Sequence, residues 1–91
     1  MTGSYSVVVK RVAEKELRRV RRGDLARIVA KIAALATEPG PPGAVKLSTL
    51  ERYRIRQGDW RIAYAVDDAA QRVSVFRIGH RSEVHRQPVA R

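Results

Sequence analysis

The chain has 91 residues, no cysteine, and 19 lysines and arginines against 9 aspartates and glutamates, which gives a formal charge of +10. This length suits one hydrophobic core, so we expect residues 1–91 to form a single domain. The lack of cysteine excludes disulfides and thiolate metal sites. No apolar run is long enough for a membrane helix, and the N-terminus lacks the apolar core of a signal peptide. We therefore expect a cytoplasmic protein with no membrane partner.

Arginine supplies most of the positive charge, since only 4 of the 19 basic residues are lysines. The guanidinium group stays charged, and its planar fork of donors matches a phosphate. The excess charge therefore predicts a polyanionic partner, which we interpret as RNA. A genome of biased base composition would also favour arginine over lysine, although it explains less of the net charge. The two histidines lack a supporting acidic cluster, so we do not expect a structural zinc site.

The first half of the chain predicts a strand and two helices. Residues 5–9 are rich in β-branched residues, which favours a strand, and the apolar spacing of residues 12–22 favours a helix. Gly23 is expected to end this helix and Asp24 to cap the next one. The proline- and glycine-rich residues 38–43 cannot continue that second helix. Its predicted apolar stripe consists of Leu25, Ile28, Val29, Ile32, Leu35 and Ala36.

The second half predicts three strands, at residues 53–57, 60–66 and 72–78. Gly58 and Asp59 suit a tight two-residue turn between the first two of these strands. The resulting order is β-α-α-β-β-β. It predicts a two-layer α+β domain in which an antiparallel pair of helices packs on a mainly antiparallel sheet.

The turn at Gly58 and Asp59 fixes a register that places Arg56 opposite Arg61. Two arginines across a strand pair repel each other, which is unfavourable for stability alone. An anion bound between them would explain the arrangement, and a solvated outer face that weakens the repulsion is the alternative. Because side chains alternate along strands, the register predicts Tyr53, Ile55, Ile62 and Tyr64 on the core face and Arg54, Arg56 and Arg61 on the opposite face.

The end of the last strand is expected to lie beside the start of the strand before it, near Trp60 and Arg61. This would bring His80, Arg81 and His85 to the same end of the sheet. Each histidine could equally be an ordinary surface residue. The ring of Trp60 could stack on a base or simply pack beside the turn.

Three segments of the sequence resemble the RelE branch of the RelE/ParE toxin superfamily. They are Lys46-Leu47, residues 53–64 (YRIRQGDWRIAY) and residues 78–85 (IGHRSEVH). The β-α-α-β-β-β order matches this family as well. The resemblance implies a ribosome-dependent endoribonuclease that cuts mRNA in the decoding site and is silenced by a cognate antitoxin encoded beside it. It implies no metal or cofactor.

The resemblance also implies roles for single residues. Arg54 and Arg56 match two basic positions that are often lysine in the family, Arg61 matches the basic residue after the turn, and Arg81 matches an arginine after the last strand. His85 stands where many relatives carry tyrosine. The implied reaction is attack of an RNA 2′-hydroxyl on the adjacent phosphate, with Arg61 and Arg81 stabilising the developing charge. A guanidinium does not act as a base, so His85 is the expected acid–base group, with Glu51 and His80 as the weaker candidates.

The residues expected to bind RNA outside this catalytic set are Lys46, Trp60, Arg77 and His80. Two other functions remain open at this point. One is the ParE-like branch of the same fold, which poisons DNA gyrase, and the other is a non-enzymatic module that binds RNA or the ribosome through charge alone. A disordered acidic segment of the antitoxin is expected to dock on the helix pair or on an open sheet edge.

Overall fold

The computed structural model describes residues 4–41, 43–47 and 52–80. Two helices pack on a five-stranded sheet, which confirms the predicted α+β class and order; a two-residue strand, β2, is an addition. The elements are β1 (Ser6–Val9), α1 (Arg11–Leu17), α2 (Arg22–Ala34), β2 (Val45–Lys46), β3 (Arg52–Gln57), β4 (Trp60–Asp67) and β5 (Arg72–His80).

The strands are ordered β1-β5-β4-β3-β2 across the sheet. The β1–β5 pair is parallel and the other three pairs are antiparallel, so the sheet is mainly antiparallel as predicted. Both helices contribute buried side chains to one side of the sheet, which we call the helix-covered face. The opposite side carries the exposed side chains of β3 and is called the open face.

The helix-covered face is closed by the apolar stripe of α2, from which Ile28, Ile32 and Leu35 are buried. Val29, which the sequence places in the same stripe, is 48% exposed, so the predicted stripe is too wide. At 100° per residue, Val29 points away from the line through the three buried residues. The other buried apolar residues are Ala13, Val20, Ile55, Ile62, Tyr64, Val66, Val73, Val75 and Ile78.

The break between the helices differs from the prediction. Helix α1 ends at Leu17, and the buried Val20 donates its N–H to the Leu17 carbonyl at 3.1 Å. Packing of Val20 into the core therefore turns the chain earlier than Gly23. Helix α2 begins at Arg22, so Gly23 neither ends a helix nor separates the two, and Asp24 lies inside the first turn rather than at the N-cap. Glycine is tolerated there because the first N–H groups of a helix have no partner within the helix.

The first hairpin has the predicted register, with Ile55 opposite Ile62 and Arg56 opposite Arg61. Its two-residue turn begins at Gly58, whose φ of 63° lies in the left-handed region that glycine adopts without steric cost. The turn chemistry and the alternation of apolar and basic residues agree, and together they fix this register.

The second hairpin contains a β-bulge. Ala63 pairs with Arg77 and Tyr64 pairs with Val75, so Phe76 is an extra residue in β5. The extra residue allows Val75 and Ile78, which are three positions apart, both to be buried on the helix-covered face. Strict alternation would have turned one of them outwards.

Helix α1 completes the hydrogen bonding of β5 beyond the end of β1. The backbone N–H of Ile78 donates to Glu16 Oε1 at 2.6 Å, and Arg77 Nε donates to Glu16 Oε2 at 3.1 Å. The carboxylate of Glu16 thus accepts hydrogen bonds from the part of β5 that no longer pairs with β1. A charged acceptor makes these bonds stronger than neutral ones, which ties α1 to the end of the sheet.

Tyr64 is the largest fully buried side chain of the helix-covered face. Its hydroxyl donates to the Pro39 carbonyl at 2.7 Å, and its ring stacks on Tyr53 with centroids 5.6 Å apart. Burial raises the pKa of Tyr64 to about 12, with a smaller contribution from the negative charge that Tyr53 carries when ionised. The connector after α2 is therefore held to the centre of the sheet by a neutral phenol.

Candidate functional site

Three arginines stand together on the open face, as the register predicts. Arg54 and Arg56 alternate with buried or half-buried residues along β3, and Arg61 lies directly opposite Arg56 on β4. Side chains paired in this way have Cβ atoms about 4.5–5.5 Å apart. We call Arg54, Arg56 and Arg61 the arginine cluster. Their grouping is confirmed, and their roles in catalysis stay predictions.

Small residues form the floor beside the arginine cluster. Ala63 lies opposite Arg54, and Gly79 lies opposite Arg61 on the other side. No long side chain therefore rises from these two positions. Among the described strand residues of the open face, the single carboxylate belongs to Asp67, which pairs with Arg72 at the far end. Asp67 follows Arg61 by six residues along β4, a distance of roughly 20 Å. At this distance the carboxylate of Asp67 neutralises little of the positive charge of the arginine cluster.

The other two predicted catalytic residues, Arg81 and His85, lie outside the described residues. Arg81 directly follows the last described residue, His80, at the end of β5. Gly79, two positions before Arg81, pairs with Arg61. The end of β5 is therefore beside the start of β4, as the sequence analysis expects.

Trp60 and His80 lie at that same end of the sheet but on the helix-covered face, opposite the arginine cluster. Their rings meet edge to face, with centroids 5.0 Å apart. Trp60 packs partly against the core, and its Nε1 donates to Asp24 Oδ2 at 3.3 Å. The geometry favours the packing interpretation of Trp60 over base stacking.

Lys46 is also separated from the arginine cluster, whereas Arg77 pairs with Ala63 and shares the open face with the cluster. Lys46 pairs with Tyr53, so it belongs to the helix-covered side of the edge strand β2. The guanidinium of Arg77 is bound to Glu16 of α1. Of the four expected RNA-binding residues, Arg77 alone thus shares the face of the cluster, and all four RNA-binding roles remain predictions.

Sequence reasoning overlooked two residues of the open face, Arg52 and Phe76. Arg52 is the first residue of β3, one position before the predicted start of that strand, and it continues the alternation of Arg54 and Arg56. Its Cζ atom lies 5.1 Å from the centroid of the Phe76 ring. The alternation of Arg52, Arg54 and Arg56 was visible in the sequence, whereas the position of Phe76 depends on the bulge.

The open face can bind and stabilise negative charge, but its described arginines cannot move a proton. Arginine donates hydrogen bonds and stays protonated in proteins, so the cluster suits a phosphate whose charge grows during a reaction. Within residues 4–41, 43–47 and 52–80, no group of three or more histidine and acidic side chains could hold a metal ion. No described helix has the length and apolar character needed to cross a membrane.

The model of the family described as the ParE toxin of the type II toxin–antitoxin system parDE matches residues 7–85. The chain belongs to this toxin family. The match runs from β1 past the end of β5, and so covers both helices, the whole sheet and the arginine cluster. Curated proteins include no significant sequence match.

Solved structures of RelE toxins share the fold. The RelBE2 toxin–antitoxin complex of Mycobacterium tuberculosis contains a chain of 25% identity with a TM-score of 0.77, and the match covers 90% of this toxin and 97% of that chain. The archaeal RelE–RelB complex of Pyrococcus horikoshii contains a chain of 23% identity with a TM-score of 0.76, and the match covers 86% of this toxin and 96% of that chain. The isolated RelE toxin of Escherichia coli has 23% identity and a TM-score of 0.76, and the match covers 91% of this toxin and 93% of that chain. The chain is therefore a type II toxin of the RelE/ParE superfamily with a RelE-like structure.

Proposed function

We propose that this toxin is an endoribonuclease that cuts mRNA on the ribosome and so stops translation. The observation behind the proposal is the arginine cluster on the uncovered face of the sheet. Three adjacent cations there are unfavourable for folding, yet they suit a phosphodiester whose charge increases during cleavage. RelE-like structure and the sequence resemblance to the RelE branch support the same activity.

The proposed reaction is attack of a 2′-hydroxyl oxygen on the adjacent phosphorus, which expels the 5′-oxygen of the next nucleotide. Arg61 and Arg81 stabilise the additional negative charge on the phosphate oxygens. Arg54 and Arg56 hold the phosphate and the backbone beside it. His85 exchanges protons with the 2′-hydroxyl or the leaving oxygen, because imidazole is the side chain best suited to giving and taking protons near neutral pH. No metal or cofactor takes part in this scheme.

The decisive experiment compares Arg61→Ala with the unchanged toxin by primer extension on mRNA from expressing cells. We expect cuts at defined positions within genes for the unchanged toxin. The variant should lose at least ~100-fold in cleavage, as enzymes do on losing one charge-stabilising donor, and it should no longer arrest growth. Arg22→Ala removes one exposed charge from the start of α2 and is the matched control, which should cut normally. Undiminished cutting by a folded Arg61→Ala variant would refute the role of Arg61.

The same experiment tests a second function. The matching family model is that of ParE toxins, and gyrase poisoning would need no catalytic cluster. DNA damage without defined mRNA cuts would favour this activity. Neither cuts nor DNA damage would favour a module that binds RNA or the ribosome without cleaving it.

We further propose a cognate antitoxin as the partner of this toxin and the cytoplasm, where ribosomes and mRNA meet, as its location. Several of the matched RelE structures are complexes with RelB antitoxins. A free basic nuclease harms its host, and an acidic segment that folds on binding would mask a surface of this charge. Co-purification of the tagged toxin with the product of a short neighbouring acidic reading frame tests this partner.

A further inference from the structure

We propose that Arg52 and Phe76 form a stacking subsite for one base of single-stranded RNA, beside the arginine cluster. The inference rests on the proposed function, because it takes RNA as the substrate. It adds a binding site that neither the family match nor the sequence resemblance assigns. Its ligand is a nucleobase rather than a phosphate.

The two side chains meet across an intervening strand. Arg52 belongs to β3 and Phe76 to β5, with β4 between them. The β4 residue opposite Arg52 is Ala65, and the short methyl group leaves room for the guanidinium to reach over it. The Cζ atom then lies 5.1 Å from the ring centroid of Phe76, within cation–π range. The contact places the Phe76 ring on the open face.

The bulge of β5 makes this contact possible. As the extra residue of the strand, Phe76 is released from strict alternation, while Val75 and Ile78 on either side fill the core. Phe76 itself is half-buried and does not belong to the core cluster. An apolar ring kept partly in solvent gains little for stability. Bulges commonly direct a side chain towards a functional surface.

The chemistry of the pair suits a base. A guanidinium held over an aromatic ring presents its other flat, weakly hydrated face outwards, and RNA bases stack on such arginine planes as well as on aromatic rings. Leu47 directly follows β2, donates its N–H to the Arg52 carbonyl at 2.7 Å and is 45% exposed. It adds an apolar border to the platform.

The position of the pair links it to the arginine cluster. Arg54 follows Arg52 by two residues on the same face, a separation of roughly 7 Å along the strand. A base stacked at the pair therefore places its own backbone beside Arg54 and Arg56. The subsite would fix one nucleotide next to the phosphate that is cut.

The test uses a short single-stranded RNA that is 2′-O-methylated, which prevents cleavage, and that carries the fluorescent base 2-aminopurine at successive positions. Stacking quenches this base. We expect the unchanged toxin to quench it at one position. Phe76→Leu, which keeps apolar volume but removes the ring, should abolish the quenching and weaken binding roughly 5- to 150-fold. Phe76→Tyr keeps the ring and should behave as the unchanged toxin.

Two arginine variants separate stacking from charge. Arg52→Lys preserves the charge and should still lose most of the quenching. Arg22→Ala removes an exposed charge from the start of α2, outside the open face, and should keep the quenching. Circular dichroism and thermal melting verify that each variant is folded.

Equal quenching and affinity in the unchanged toxin and in folded Phe76→Leu would overturn the subsite and leave the ribonuclease proposal intact. Absence of quenching at every position in the unchanged toxin would also overturn it. The ribonuclease proposal fails separately, through the Arg61→Ala comparison on mRNA.

Discussion

The two faces of the sheet are built from the same strands by opposite rules. On the helix-covered face, Ile62 and its neighbours are packed without exposed surface. On the open face, one residue away, Arg61 faces Arg56 with no described helix above them. The first face lowers the free energy of the fold, whereas the second raises it slightly through like-charge repulsion. Along single strands, residues that stabilise the fold thus alternate with residues that carry the exposed positive charge.

The largest effect is expected from Ile62→Ala, which tests the contrast between the two faces of the sheet. Ile62 is fully buried, so we expect the free energy of unfolding to fall by about 2–5 kcal/mol through lost burial and the cavity left behind. Chemical denaturation measures it. The neighbouring Arg61→Ala should change stability by less than about 0.5 kcal/mol while it removes activity. Similar destabilisation by both substitutions would contradict the separation of the two faces.

A smaller effect is expected from Tyr64→Phe at high pH. The pKa of Tyr64 is about 12 in the folded chain and ordinarily 10.0, so between these values the unfolded state loses a proton that the folded state keeps. The stabilisation is complete below pH 10 and is lost as the pH rises through 12. After allowance for solvent screening we expect roughly 1–2 kcal/mol.

Denaturation at pH 8 to 12 measures this loss as the difference between the unchanged chain and Tyr64→Phe. The difference is needed because the pKa of Tyr5 is also raised, chiefly by the hydrogen bond that its hydroxyl donates to Asp68. The variant should be less stable at pH 8, where it lacks the bond to Pro39, and the gap should close by pH 12. Parallel curves would show that burial does not hold this phenol neutral.

The smallest effect has the opposite sign. Arg56→Thr removes the repulsion with Arg61 and introduces a residue that favours strands, so we expect a gain of about 0.2–1 kcal/mol together with a loss of cleavage. Thermal melting and the mRNA assay measure the two changes. Arg72→Thr is the control, because Arg72 pairs with Asp67 and its loss should not stabilise. A less stable Arg56→Thr variant would mean that the cluster supports the fold.

The sequence predicted the first hairpin and its arginines because turn chemistry and alternation act over a few residues. Gly58 set the turn, and the register then placed Arg54, Arg56 and Arg61 together. The helix break was misplaced because burial of Val20 outweighed the local signal of Gly23. Local propensity competes with packing, which a single sequence does not display.

The open-face aromatic residue was missed for a related reason. The sequence leaves Trp60 open to base stacking or to packing beside the turn, and its position in the register puts it on the helix-covered face. Phe76, the aromatic residue that lies on the open face, is the extra residue at the bulge of β5. A hint was present, since Val73 and Val75 alternate regularly and the next buried residue is Ile78. The spacing of three residues between the apolar positions Val75 and Ile78, in place of two, indicates a bulge in the strand.

The bulge also governs what insertions and deletions mean in this toxin. Val75 and Ile78 share the helix-covered face because the residue Phe76 between them has no partner in β4. Removing Phe76 alone would restore strict alternation, with Ile78 still on the helix-covered face and Arg77 still on the open face, so the strand would lose its open-face ring and keep its core. An alignment gap of one residue near position 76 in related sequences therefore marks the loss of the bulge, rather than a shorter loop or a reversal of faces.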